Sequence, residues 1–560
     1  MGQDKTKAVK QQRLEIMASE KRFTYIVVGA GSAGCVVANK LSEDTGNSVL
    51  LLEAGPSDKN PMIDMPKGFG KVVGSEKYTW SYQAGPGDQG KTTEETWVRG
   101  RVLGGSSAIN GLQYQRGHQQ DYDDWQKDLS LTGWGWDTIG PIFQKLEDHE
   151  LGGGETRGAG GPLHVSQNKN RVPLTSKFID AAGELGVPFR ADPSESSAPA
   201  ISYICANIKN GRRWSAANAF LDPIKSRKNL TIATGIQVSQ VLFEGEKAVG
   251  VQCGTGSAKK EFFCDREIIL CTGAMESPAI LQRSGIGDSQ HLSSLNIPVV
   301  SDSPEVGQNM REHLIYTVQF RLLGDYSQNK EYSGWRLIKH VLHYYLKRDG
   351  LLACPAYDLT AFVETQGEQG RADAQLVIAP LTMDLARWEG FHKGIPFEKE
   401  PGMSVLGYGL RPQSKGYLKI KSSEPDVDYE VVHNHLVEES DRRLAIGIAR
   451  YIRKLASQPA LKDYVSHEII PGTQYESDDE LLEAYNMMGG PGYHTAGTCR
   501  MGVDESSVVD ERLCVRGVTG LRVVDLSVFP TLVSGNTNGP VMAVAWQGAD
   551  LILDDAANKS

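Results

Sequence analysis

Apolar positions in this chain fall into short β-branched runs separated by stretches of helical spacing. The run Phe23-Thr-Tyr-Ile-Val-Val28 is apolar almost throughout, the pattern of a parallel strand covered on both faces. Cys35-Val-Val-Ala-Asn-Lys-Leu41 then predicts a helix, and residues 48–52 predict a second strand. Strand, helix and strand in that order open an α/β fold with a parallel sheet. Runs at 229–234, 237–243, 248–252 and 267–271 predict further short strands, followed by a helix with Ser277 as its N-cap. Strand-like runs at 316–320, 374–379 and 416–421, and a charged helix at 438–453, predict a second unit. The glycine-rich stretch 150–161 reads as a loop or lid.

Composition narrows the function classes. At 560 residues the chain exceeds one compact core, so two domains are expected. A formal charge of -10 and the lack of a basic stripe argue against a nucleic-acid partner. The eight cysteines (35, 205, 253, 264, 271, 354, 499 and 514) show no C-x-x-C and no clustering with histidine. They read as reduced thiols rather than a disulfide framework or a metal site. No apolar stretch is long enough to span a membrane, and the charged N-terminus lacks a signal-peptide core, so a cytoplasmic location is expected. Met1-Gly2 with Thr6 fits only the loose myristoylation pattern, and a leader without a fixed role is the simpler reading.

The chemistry gathers at the two ends of the chain. Gly29, Gly31 and Gly34, with Ser32 at the helix start, form a G-x-G-x-x-G turn. Such a turn lets backbone approach a pyrophosphate at a helix N-terminus. Glu53 ends the second strand, 19 residues beyond Gly34, where a carboxylate accepts hydrogen bonds from ribose hydroxyls. The fingerprint does not separate NAD from FAD. The loop 99–110, with Arg99, Arg101 and several Gly and Ser residues, suits either a wrap around a second phosphate or a surface loop. Far downstream, His494 and Asn536 sit 42 residues apart, each in a Gly-rich segment.

Residues 100–110 with Tyr114, Gly117 and Asp123, residues 273–287, the segment Val306-Gly-Gln-Asn-Met-Arg-Glu-His313 and residues 521–530 together resemble the signatures of the glucose-methanol-choline (GMC) oxidoreductases. The likeness covers roughly residues 22–555. It implies a Rossmann-like FAD-binding domain with a second, α+β substrate domain on an antiparallel sheet. The FAD part would take 22–149, 225–315 and 488–555, and the substrate part 150–224 and 316–487. Carried over by position, Gly29, Gly31, Ser32, Gly34, Glu53, Arg101, Gly104, Gly105, Ser106, Asn110, Val238, Asp525 and Asn536 are expected to hold FAD. Ile109 occupies the place where some members carry a FAD-linked histidine, so a non-covalent cofactor is expected.

The resemblance also makes His494 the catalytic histidine and Asn536 its partner, for oxidation of a primary alcohol to an aldehyde. Histidine suits the proton step because its ordinary pKa of about 6.5 lets it accept a proton near neutrality. Asn536 can donate and accept but is no base. The expected partners are a small-molecule alcohol and either oxygen or another electron acceptor. His313 is read as structural and His118 as solvated, while Tyr114, Tyr357 and Trp388 are candidate pocket aromatics. Three alternatives remain: a hydroxynitrile lyase, a photodecarboxylase (Cys354 lies near the stretch that would matter) and an inactive FAD-binding protein.

Overall fold

The computed structural model describes residues 22–254, 259–367, 370–387 and 393–558. The expectations for Gly2 and Trp388 fall outside these residues.

The first sheet has seven strands. Strand β1 (Arg22–Val28) pairs in parallel with β2 (Val49–Glu53) and with β3 (Lys260–Leu270). Helix α1 (Ser32–Leu41) connects the first two and is buried along most of its length. Leu230–Thr234 extends the sheet beyond β2 in parallel. On the far side of β3, Leu521–Val523 joins in parallel, while Lys247–Cys253 and Val238–Glu244 add an antiparallel pair. The β1 and β2 side chains are almost entirely buried on both faces, as a sheet with helices on either side requires.

The predicted helix after residue 271 starts earlier than expected. Helix α2 runs over Gly273–Arg283, and Ser277 lies inside it. Pro278 has no N–H to give to the carbonyl of Ala274, and the Thr498 hydroxyl donates to that carbonyl instead at 2.7 Å. Freed from capping, Ser277 Oγ donates to Asp525 Oδ2 at 2.6 Å.

The second sheet also has seven strands, and all of its pairings are antiparallel. Its order is Val465–Ile470, β4 (Leu314–Leu322), Gly402–Gly409, Ala374–Ala379, Leu359–Val363 and Ala200–Tyr203, with Gly490–Pro491 also on β4. Helix α3 (Gly334–Lys347) stands apart from the strands, whereas α4 (Glu439–Ala456) seals one face with Ile448, Ala449 and Ile452. The run at 416–421 is not in this sheet. Tyr417–Lys419 pairs with Glu430–Val432, and Leu418 and Val431 pack with Trp97, Met275 and Leu292. The last helix, α5 (Asn538–Asn558), lies along α1 in the first core. No helix among the described residues is long and apolar enough to cross a membrane.

Candidate active site

One cavity of about 470 Å³ takes both chemical ends of the chain into its wall. Gly29, Gly31, Ser32 and Glu53 contribute from the β1–α1–β2 unit, and His494 and Asn536 from the C-terminal loops. The N-cap of α1 is Gly31, with no side chain covering the first-turn amides. These orphan donors and the helix dipole suit an anionic group. Asn538 opens α5 on the same wall, and Ser32 Oγ donates to its Oδ1 at 2.7 Å.

Glu53 is held from two sides, accepting from Ala30 N at 2.9 Å and Gly55 N at 2.7 Å. Burial pushes its carboxyl up to about 7, against the pull of these amides and of Arg101. The loop after Gly100 folds back onto the glycine turn, with Gly104 N donating to Ala30 O at 2.8 Å. Gly105 has φ +54°, and a Cβ on it would stand 2.6 Å from Gly31 Cα, so only glycine allows this approach.

Gly105, Ser106, Asn110, Val238 and Asp525 also line the cavity. Gly34, Arg101 and Gly104 do not. Gly34 lies in the tight contact of α1 with the Gly29 carbonyl, Gly104 forms the left-handed corner before Gly105, and Arg101 lays its guanidinium 4.3 Å from the centre of the Trp80 ring. Asp525 joins two segments, accepting from Gly273 N at 2.8 Å, Ser277 Oγ and Ser527 N at 2.8 Å.

The His494 ring sits between two partners. Its Nε2 lies 3.0 Å from Asn536 Nδ2, and its Nδ1 lies 2.9 Å from Nδ1 of His313. His313 Nε2 lies 3.0 Å from the Leu410 carbonyl oxygen. This chain determines the tautomers. A carbonyl only accepts, so His313 Nε2 carries hydrogen and, in the neutral ring, its Nδ1 accepts. His494 Nδ1 must then donate, which leaves the Nε2 lone pair as the basic site. An amide N–H from Asn536 onto Nε2 agrees with that, but the Leu410 carbonyl alone suffices.

Both rings are neutral at pH 7. Burial holds His494 well below 6.5, helped by His313 and Arg99, and burial brings His313 down to about 4. Asn536 Oδ1 is buried with no partner among the described residues, an acceptor left over beside the base.

The peptide carrying His494 is clamped by Glu312. Oε1 accepts from His494 N at 2.6 Å and His313 N at 3.0 Å, and Oε2 accepts from Thr495 Oγ1 at 2.6 Å. Arg99 pairs with Glu312 at 3.3 Å and also donates to the Thr495 hydroxyl. Arg99 lines the cavity and also holds the clamp. Sequence reasoning missed Arg99, Glu312 and His313 as parts of this site, although the last two lie in the recognised 306–313 segment.

Other expectations are corrected. His118 is buried rather than solvated, with its ring 5.2 Å from Phe362 and its pKa brought down to about 4 by burial. Tyr114 is off the wall, donating to Glu147 Oε1 at 2.6 Å, while Tyr357 is on it. The stretch 150–161 does not reach the cavity. Its Gly158 and Gly161 amides are tied to Glu147. Beyond His494 the second sheet supplies mainly aliphatic wall, including Ile315, Val377 and Leu406, with Tyr408 donating to Gln375 Oε1 at 2.5 Å.

Comparison with known proteins gives the family and the fold. The GMC oxidoreductase models match residues 23–315 and 412–545. An alcohol dehydrogenase [acceptor] of Pseudomonas putida is 35% identical over 543 residues, covering 95% of this chain and 96% of its own. The mitochondrial choline dehydrogenase of Mus musculus is 36% identical over 541 residues, covering 95% and 89%. Among solved structures, pyridoxine 4-oxidase from Mesorbium loti superposes with a TM-score of 0.85 at 29% identity, over 94% of this chain and 99% of that one. A formate oxidase at 24% identity shares the fold with a TM-score of 0.88, over 96% and 99%. The chain belongs to the GMC oxidoreductase family.

Proposed function

We propose that this protein is an FAD-dependent oxidoreductase that converts an apolar primary alcohol to its aldehyde, with His494 as the base. The observation that carries it is the hydrogen-bond chain from Leu410 through His313, which leaves His494 Nε2 unprotonated on the wall of the cavity.

The residues present fit FAD. The uncapped α1 N-terminus suits the pyrophosphate and Glu53 the ribose, while Gly105, Ser106, Asn110, Val238 and Asp525 follow along the wall. Ile109 lines the cavity with an inert side chain, consistent with a non-covalent cofactor. FAD bound there supplies the acceptor for the hydride leaving the alcohol carbon.

The chain's own residues handle the proton. The substrate hydroxyl takes the place of the Asn536 N–H at Nε2 of neutral His494 and gives up its proton there as the carbon is oxidised. Asn536 Nδ2 has a second N–H to orient the substrate oxygen. Burial then makes the His494 imidazolium a ready donor, so the proton leaves before the next turnover.

The aliphatic part of the wall, supplied by the second sheet, favours an apolar substrate, although choline is the substrate named for one relative. The electron acceptor is oxygen or another small acceptor. The FAD part is taken as 22–149, 225–315 and 488–555 and the substrate part as 150–224 and 316–487. Eight free cysteines, seven of them buried, accord with a cytoplasmic location.

Cys354 does not favour a photodecarboxylase. It is absent from the wall, its thiol faces the Gly350 carbonyl, and burial raises its pKa to about 11. The test is anaerobic mixing of purified protein with straight-chain primary alcohols, benzylic alcohols and choline. Bleaching of a flavin spectrum by the apolar alcohols supports the reading. Bleaching by choline alone overturns the substrate class, and a flavin that no alcohol bleaches overturns the activity.

A further inference from the structure

Helix α3 turns its apolar residues in the wrong direction for a helix of a water-soluble protein. Trp335, Ile338, Leu342, Tyr345 and Leu346 recur at helical spacing and form one stripe. All are exposed, Trp335 at 69% and Leu346 at 79%. The inner face, with Val341 and Tyr344, is already satisfied against Met62, Met65 and Leu352. The outward stripe is therefore additional to the packing that holds the helix in place.

Its charge is equally one-sided. Residues 334–348 contain four Lys and Arg and no acid, in a chain of formal charge -10. Arg336 and His340 are paired with Glu331, and Arg348 packs over Tyr344. Lys339 and Lys347 make no ion pair among the described residues. An apolar stripe bearing Trp and Tyr, flanked by unpaired lysines, matches a helix that lies in a membrane interface. We infer that α3 docks the enzyme on an anionic bilayer surface, with the stripe inserted among the acyl chains and the lysines on the headgroups.

Charge favours this occupant over a second copy of the chain. A two-fold pairing of α3 would set the same lysines against each other, whereas anionic lipid neutralises them. The placement is also useful. The segment under α3 leads through Leu352 to Ala356 and Tyr357 on the cavity wall, and Met65 leads to Phe69 and Val73 on the same wall. The inference does not depend on which alcohol is oxidised.

The test is co-sedimentation of the full-length, FAD-loaded enzyme with vesicles of phosphatidylcholine containing phosphatidylglycerol, and with phosphatidylcholine alone. Binding to the anionic vesicles, weakened by salt, is expected. Leu342→Asp/Leu346→Asp should abolish it. Lys339→Gln/Lys347→Gln should weaken it about tenfold or more, with turnover of a soluble alcohol unchanged in both variants. Should the aspartate variant lose its flavin, the glutamine variant carries the test alone. Wild-type protein that stays in the supernatant overturns the inference, as does equal binding by the glutamine variant. Dimers that Leu342→Asp splits, without lipid binding, would assign the stripe to a second copy and also overturn it.

Discussion

At the scale of single residues the site depends on which nitrogen of His494 holds the proton. The Leu410 carbonyl and His313 decide it from behind. His313→Phe removes the acceptor for His494 Nδ1–H, so flavin reduction should slow by about tenfold or more with KM little changed. His313→Gln restores an acceptor oxygen and should recover much of the rate. Equal rates in wild type and His313→Phe would remove His313 from the account. The pH profile offers a second check. Burial depresses the His494 pKa, so the neutral base persists as pH falls past 6.5, and the acid limb of the reduction rate should lie well below that value. A limb at 6.5 or higher would contradict it. His494 and Asn536 could be singled out because their segments are local and distinctive, and both lie on the cavity wall. His313 was legible as part of a motif but not as a partner, since 181 residues separate it from His494 and only the fold brings the rings together.

At the scale of elements, the cofactor end is a fit of backbone to backbone. The 100–110 loop can lie on the β1–α1 turn only while Gly105 lacks a side chain. Gly105→Ala should cost about 1–3 kcal/mol through the left-handed φ and the contact with Gly31. It should purify with less FAD and melt lower. Unchanged flavin content and melting temperature would show that this approach is not needed. β1, α1 and β2 were readable because a continuous apolar run and a glycine turn leave few alternatives. The start of α2 was not. Ser277-Pro278 has the look of a helix start, yet Thr498 takes over the carbonyl that proline leaves free, a compensation from more than 200 residues away. The solvation expected of His118 failed for a similar reason, since Phe362 on a distant strand covers it.

At the scale of the whole molecule, two sheets meet around one cavity and bury several ionisable groups in neutral form. His118, His313 and His433 each have a pKa near 4, lowered chiefly by burial. A lowered folded-state value means that stability is full above about 6.5, the unfolded value, and is lost as pH falls toward 4. Each group accounts for up to about 3 kcal/mol of that loss, so the protein should unfold cooperatively in mild acid. A melting temperature that stays flat from pH 7 to 4 would refute this. The membrane-facing stripe of α3 was the feature least visible beforehand. Nothing over 334–347 stood out in the sequence, and only the fold shows that face turned outward. The central claim is that His494 takes the alcohol's proton in an FAD enzyme. The most direct measurement is anaerobic stopped-flow reduction of wild type and His494→Gln, both loaded with FAD, by one apolar primary alcohol. The account predicts equal flavin content and a rate of bleaching about 10²–10⁴-fold lower in the variant. Equal rates in the two proteins would contradict it.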